Sequence, residues 1–321
     1  MFKVTSEKRV KANMKTALFV VLFLLPFIVL SRVIINIKYI EEATGYSTSA
    51  VPVVHFAAVV VLSLVVLLLA KAFEIFYLSK SFDPTSGDYT PNNISPYSEL
   101  IFNKTSVIVV FMSAFLGFAM ITSFFLMLFN LYKPSIETVP NKLVFIIMTL
   151  FMALAGVFFI ISATKNPSPY RKYYASLSFA PVLWSALRIM MCFMDTSRYI
   201  NTTSRHLELF TSIAVTLFFM YQSRFTLQNY KYHKMGTYFS FGLIATIFIS
   251  SSSVPSIISV AFFPYTVQMA NENDAIFWLL DIITLFYIIV RLIRISSQIN
   301  TVTQEDLTDY ARGYTKSILK Q

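Results

Sequence analysis

The chain has one cysteine, three histidines, seven glycines and few charges, and each scarcity removes a class of function. Cys192 stands alone, so no disulfide can form within the chain. His55, His206 and His233 lie far apart, which leaves no cysteine–histidine spacing for a metal. No metal and no other cofactor is expected. Charged residues make up 13% of 321 positions, against about 25% in an ordinary soluble domain. The signatures HExxH, GxSxG, GxxxxGK[ST] and GxGxxG are missing, and no carboxylates and histidines cluster at helical spacing. No catalytic residue is expected, and an enzyme is the least supported reading.

What the chain has instead is apolar length. Hydrophobic residues make up 56% of it, gathered into runs of the kind that cross a bilayer as helices. Eight runs are long enough: 17–37, 51–79, 105–131, 141–163, 174–194, 206–226, 237–262 and 275–294. The expectation is an all-α, polytopic transmembrane bundle of eight spans in one domain. The fifth and sixth runs are the weakest, because they carry charge. The first resembles a signal peptide, with a basic start and an apolar stretch. It continues through "SRVIINI" without a small-residue cleavage site, so it is read as an uncleaved first span.

A net charge of +10 could suggest nucleic acid, but the basic residues fall between the apolar runs rather than on one tail or face. The bilayer is the expected partner, with no nucleic acid. With the N-terminus in the cytoplasm, nineteen of the 26 Lys and Arg fall in inner segments. Arg32, Lys38, Lys133, Lys142, Arg198 and Arg205 fall in outer ones, and Arg188 lies inside a run. This roughly threefold bias alternates from loop to loop, as the positive-inside rule requires. Eight spans with both termini cytoplasmic follow from it.

No segment is long enough for a separate soluble domain. The connection 80–104 carries Pro84, Pro91 and Pro96, and the tail after Arg294 is polar. Either could meet a protein partner on the cytoplasmic side. The sequons at Asn93, Asn103 and Asn201 carry little weight, since two lie in segments placed inside.

Three features cost something to keep in a membrane. In "PVLWSALRIMMCFMD", Arg188 shares a helical face with Trp184, Cys192 and Asp195. It lies six residues from the outer end of its run, and Asp281 is about as far into the last one. A rise of 1.5 Å per residue puts both roughly 9 Å deep, so the two are expected to pair. Glu208, shallower, is the second choice of partner. The seventh run holds Ser250 to Ser253, Pro255 and Ser256, which predicts a kink or break between 250 and 256. Small residues at Ser113, Gly117, Ala153, Ala155 and Gly156 predict close helix packing. Pro26 and Pro181 are expected to mark kinks, and His55 to be interfacial.

Residues 178–225, "SFAPVLWSALRIMMCFMDTSRYINTTSRHLELFTSIAVTLFFMYQSRF", resemble a group of uncharacterised multi-spanning membrane proteins of Gram-positive bacteria. The proline, aromatic residue and arginine of the fifth run carry the resemblance, with "YIN" and the acidic residue of the sixth. It spans about a sixth of the chain and implies a bacterial plasma-membrane protein without supplying an activity.

Two functions fit these residues. One is a transporter or sensor that binds a small molecule or lipid in the outer half of the bundle, at Arg188, Glu208, Asp281, Ser252, Ser256 and Trp184. The other is a structural or accessory membrane subunit that assembles with a partner, in which the charges only fix helix packing. The Arg188–Asp281 pair itself is read as a clamp in preference to a site.

Overall fold

A chain segment inside hydrocarbon has no water to bond its N–H and C=O groups, so each apolar run must close its hydrogen bonds internally as a helix. The computed structural model describes residues 2–40, 47–78, 106–131, 142–163, 176–194, 202–226, 235–262 and 272–298. These are helical almost throughout, and the described residues form no strand beyond an isolated bridge between Ile40 and Ser47. The helices are α1 (Phe2–Tyr39), α2 (Val51–Leu78), α3 (Val107–Leu131), α4 (Lys142–Ala163) and α5 (Ala180–Met194). They continue with α6 (Thr203–Thr226), α7 (Met235–Ser251), α8 (Ser253–Phe262) and α9 (Glu272–Gln298). The connection 80–104, the tail beyond 298, Asp195 and the three sequons lie outside the described residues.

Among the described residues, six stretches are long and apolar enough to cross a membrane: Met14–Tyr39, Val51–Leu69, Val107–Asn130, Lys142–Ala163, Gly236–Phe262 and Asn273–Ser297. The chain is thus a multi-pass, all-helical membrane protein. The fifth and sixth runs differ from the rest. Helix α5 has 15 residues, about 22 Å against a hydrocarbon core of about 30 Å. Helix α6 has 24 residues but spends part of its length on Arg205, Glu208, Gln222 and Arg224. Pro181, expected to kink a span, stands instead in the first turn of α5. Its missing N–H costs nothing there.

Helices α3 to α7 pack in sequence, each on the next, and α9 returns to lie against α3. Helix α7 also touches α1, α2, α8 and α9. Within Gly236–Phe262, 72% of the span is buried, against 22% for the span in α2, so α7 and α8 form the centre and α2 the margin. The outer faces are apolar. Phe19, Phe23, Phe27, Leu30 and Ile34 make an exposed stripe on α1, as do Val107, Phe111, Phe115 and Phe118 on α3. Such a surface suits lipid and would aggregate in water.

The central helix breaks where the serine and proline run predicts. Pro255 has no N–H to offer the Ser251 carbonyl, and its ring crowds that carbonyl. Helix α7 ends at Ser251, Ser252 forms a turn and α8 starts at Ser253. Serine hydroxyls take up carbonyls around the break. Ser251 Oγ donates to Phe248 O at 3.0 Å and Ser256 Oγ to Ser252 O at 2.8 Å.

Small residues bring α3 and α4 together. A Cβ on Gly117 would stand 2.6 Å from the Gly156 carbonyl oxygen, and one on Gly156 2.8 Å from that of Gly117. Backbone oxygens cannot turn aside as side chains do, so any larger residue must push the helices apart. We predict that Gly117→Val and Gly156→Val each destabilise the detergent-solubilised protein by about 1–3 kcal/mol, read as a lower melting temperature. Leu150→Ala on the exposed side of α4 should change it little. Unchanged melting in both glycine variants would refute the contact.

Candidate functional site

Arg188 projects from the middle of α5 and Asp281 from the first half of α9, and the two meet as a fork on a fork. Arg188 Nη1 donates to Asp281 Oδ1 at 2.5 Å and Nη2 to Oδ2 at 2.8 Å. A third donor reaches the same carboxylate: Ser253 Oγ, at 2.6 Å from Oδ2. The break at Ser252 places that serine at the start of α8, so the interrupted helix supplies a donor to the pair. Phe277, four residues before Asp281, lies under the guanidinium with its ring centre 4.9 Å from Cζ. The side chains of Arg188 and Asp281 are only 7% and 1% exposed. Hydrogen-bonded, bidentate pairing and burial together give a strong link.

Glu208 belongs to a neighbouring group. It accepts from Trp278 Nε1 at 3.2 Å and stands 3.7 Å from Arg205 Nη1 on its own helix. Arg205 also donates to the carbonyl of Cys192 in the last turn of α5. A cation there meets the negative end of the helix dipole. Trp278 is one turn before Asp281, so α9 carries both groups on one face.

The residues expected to form a ligand site therefore divide. Arg188 and Asp281 come together, and Glu208 sits one turn away on the indole of Trp278. Ser252 is buried within the break, while the Ser256 hydroxyl is spent on the Ser252 carbonyl. Trp184 is fully buried one turn before Arg188, and its Nε1 has no hydrogen-bond partner. The sequence reading left Ser253, Phe277 and Trp278 out of the site. Position along the helix gave the signal for the last two, since they flank Asp281 by one turn.

Other polar contacts missed in the sequence lie at the same end of the bundle. Arg32 Nη2 donates to Ser204 Oγ at 2.7 Å, and Asn36 Nδ2 lies 3.5 Å from Ser259 Oγ. Asn130 Nδ2 donates to Asn273 Oδ1 at 3.0 Å. Each joins the last turns of one helix to the first turns of another, or to the last turns of α8. Since α6 and α9 carry partners in both sets, these contacts share one end of the bundle with Glu208 and Arg205. Farther in, Gln222 Nε2 donates to the Tyr287 hydroxyl at 2.7 Å.

Among the described residues no group of three His, Cys, Asp or Glu side chains could hold a metal. What the Arg188–Asp281–Ser253 arrangement can do is join α5, α8 and α9 at depth. Arg188→Leu leaves a buried carboxylate without its cation, and we predict a loss of about 3–5 kcal/mol. Arg188→Leu with Asp281→Leu should recover part of it, read as folded yield by size-exclusion chromatography. A double variant no better folded than the single one would show that the pair is not coupled. Comparison of the chain with family models, curated proteins and solved structures finds no match to any of them.

Proposed function

We propose that the chain is an eight-span plasma-membrane protein, with both termini in the cytoplasm, that binds a small polar molecule or lipid headgroup at the outer end of its bundle. It would act as a transporter or sensor. The observation that carries this reading is the central helix broken at Ser252, beside a buried ion pair to which its second half contributes Ser253. Broken helices at membrane depth are tolerated where side chains or water meet the freed backbone groups, and they commonly line binding sites. The charge bias of the loops supports the orientation, and α5 and α6 complete the eight spans although their polar residues make them the weakest.

One observation favours a second reading. Arg188 is sealed and fully engaged with Asp281, as a clamp in a structural or accessory subunit would be. In the first reading the clamp holds the walls of a site that opens beside it, and Arg188 itself touches no ligand.

Reporter fusions after residues 90, 136, 168, 200, 230, 268 and 315 should alternate, starting inside. An external signal at 230 would sink the topology. For the binding reading, Ser256→Cys in a Cys192→Ser background should react from outside with a membrane-impermeant thiol reagent. A Ser256→Cys protein that folds but never reacts would leave the accessory subunit standing.

A further inference from the structure

Arg32 is 2% exposed, yet it is matched differently from Arg188 and Arg205. Arg188 has Asp281, and Arg205 has Glu208. Among the described residues no carboxylate pairs with Arg32. Its Nη2 is taken by the Ser204 hydroxyl, and its Nη1 is buried with no hydrogen-bond partner. A guanidinium cannot shed its charge by losing a proton, so burial leaves it in need of an anion.

The surroundings are polar on several sides. Asn36 lies one turn along α1 on the same face, 7% exposed. Its Nδ2 reaches Ser259 Oγ only at 3.5 Å, and its Oδ1 is buried without a partner. Turning that amide over would give Ser259 an acceptor and turn the amino group to the position Oδ1 now holds. The Ser204 and Ser259 hydroxyls rotate freely enough to donate as well as accept. Helices α1, α6 and α8 thus each bring a polar group to one place.

We infer that Arg32, Asn36, Ser204 and Ser259 form a binding site for a small oxyanion, whose oxygen is held by Arg32 Nη1. One permanent positive charge suits a group of one negative charge: a carboxylate, a dihydrogen phosphate or a phosphodiester. The source is either a free solute or the headgroup phosphate of a lipid. This inference rests on the proposed outer-end binding function and names its ligand class. The clamp at Arg188 is separate, since its guanidinium is already occupied by Asp281.

The test uses the full-length protein in an uncharged detergent. Melting is followed in chloride, acetate and inorganic phosphate at matched ionic strength, and retained phospholipid is read by native mass spectrometry. For a free anion, saturating acetate or phosphate should raise the wild-type melting temperature by about 2–4 °C or more, and Arg32→Leu should not respond. For a lipid, wild type should retain phospholipid that Arg32→Leu has lost, with no response to small anions. If Arg32→Leu does not fold, Asn36→Ala and Ser204→Ala keep the cation and serve instead. Each should weaken the apparent anion affinity by about tenfold, or release the retained lipid.

Phosphate also stabilises proteins in general by exclusion from their surface, so a rise shared equally by wild type and variants overturns the inference. Equal lipid retention with no anion response overturns it as well. The thiol experiment at Ser256 separates the two levels. Reactivity there with neither an anion effect nor Arg32-dependent lipid retention removes this site alone, whereas no reactivity together with neither of those effects removes the binding function too.

Discussion

The interaction on which the rest of the bundle depends is the buried fork between Arg188 and Asp281. A charge at this depth costs on the order of 2.5–3.5 kcal/mol on insertion scales, and two such residues stand in helices that must nonetheless stay in the membrane. Pairing them, with Ser253 as a third donor, turns two costs into one link among α5, α8 and α9. That link joins the short helix, the broken helix and the last helix, the elements with the most irregular geometry. Helix α5 needs it most, because at 15 residues it has little apolar length of its own.

Polar contacts and close packing divide the molecule between them. At one end, contacts such as Arg32–Ser204, Asn130–Asn273 and Trp278–Glu208 fasten helix termini together. Toward the middle and the other end the ties are of different kinds. Gly117 and Gly156 let α3 and α4 touch backbone to backbone. Phe159, Phe219 and Tyr287 interlock nearby, with ring centres 5.3 to 5.7 Å apart from Phe159. Rings this close on tilted axes add to packing beyond the area they bury. In lipid, where hydrophobic burial between helices gains little, packing and hydrogen bonds are what is left to hold a bundle.

Much of this was legible in the sequence, for physical reasons that differ by element. Apolar run length marks a helix strongly, so the runs at 51–79 and 275–294 were plain. The ion pair was legible because two charges at matched depth in separate spans have few alternatives. The break at Ser252 followed from proline chemistry, which is local. Glu208 was harder. A carboxylate near a helix start can turn to any donor, and nothing in spacing alone says that the Trp278 indole comes within 3.2 Å. Arg32 was counted only as a charge of the outer side, since its isolation depends on which helices surround α1. Pro181 was read as a kink because the run before it is apolar, but α5 begins beside it.

The separation of the two partners along the chain has a consequence for how the protein is made. Arg188 and Asp281 are 93 residues apart, so the arginine leaves the ribosome well before its counter-ion exists. At about 5–20 residues per second the delay is roughly 5–20 s. Through that interval α5 holds a bare cation on a helix too short to be comfortable in lipid. Arg205 in the first turn of α6 donates to the Cys192 carbonyl, so α5 is tied to α6 before α9 is made. Synthesis of α9 then completes the pair. The order of the helices along the chain thereby sets an order of assembly, in which α9 supplies the counter-ion that α5 lacks until then.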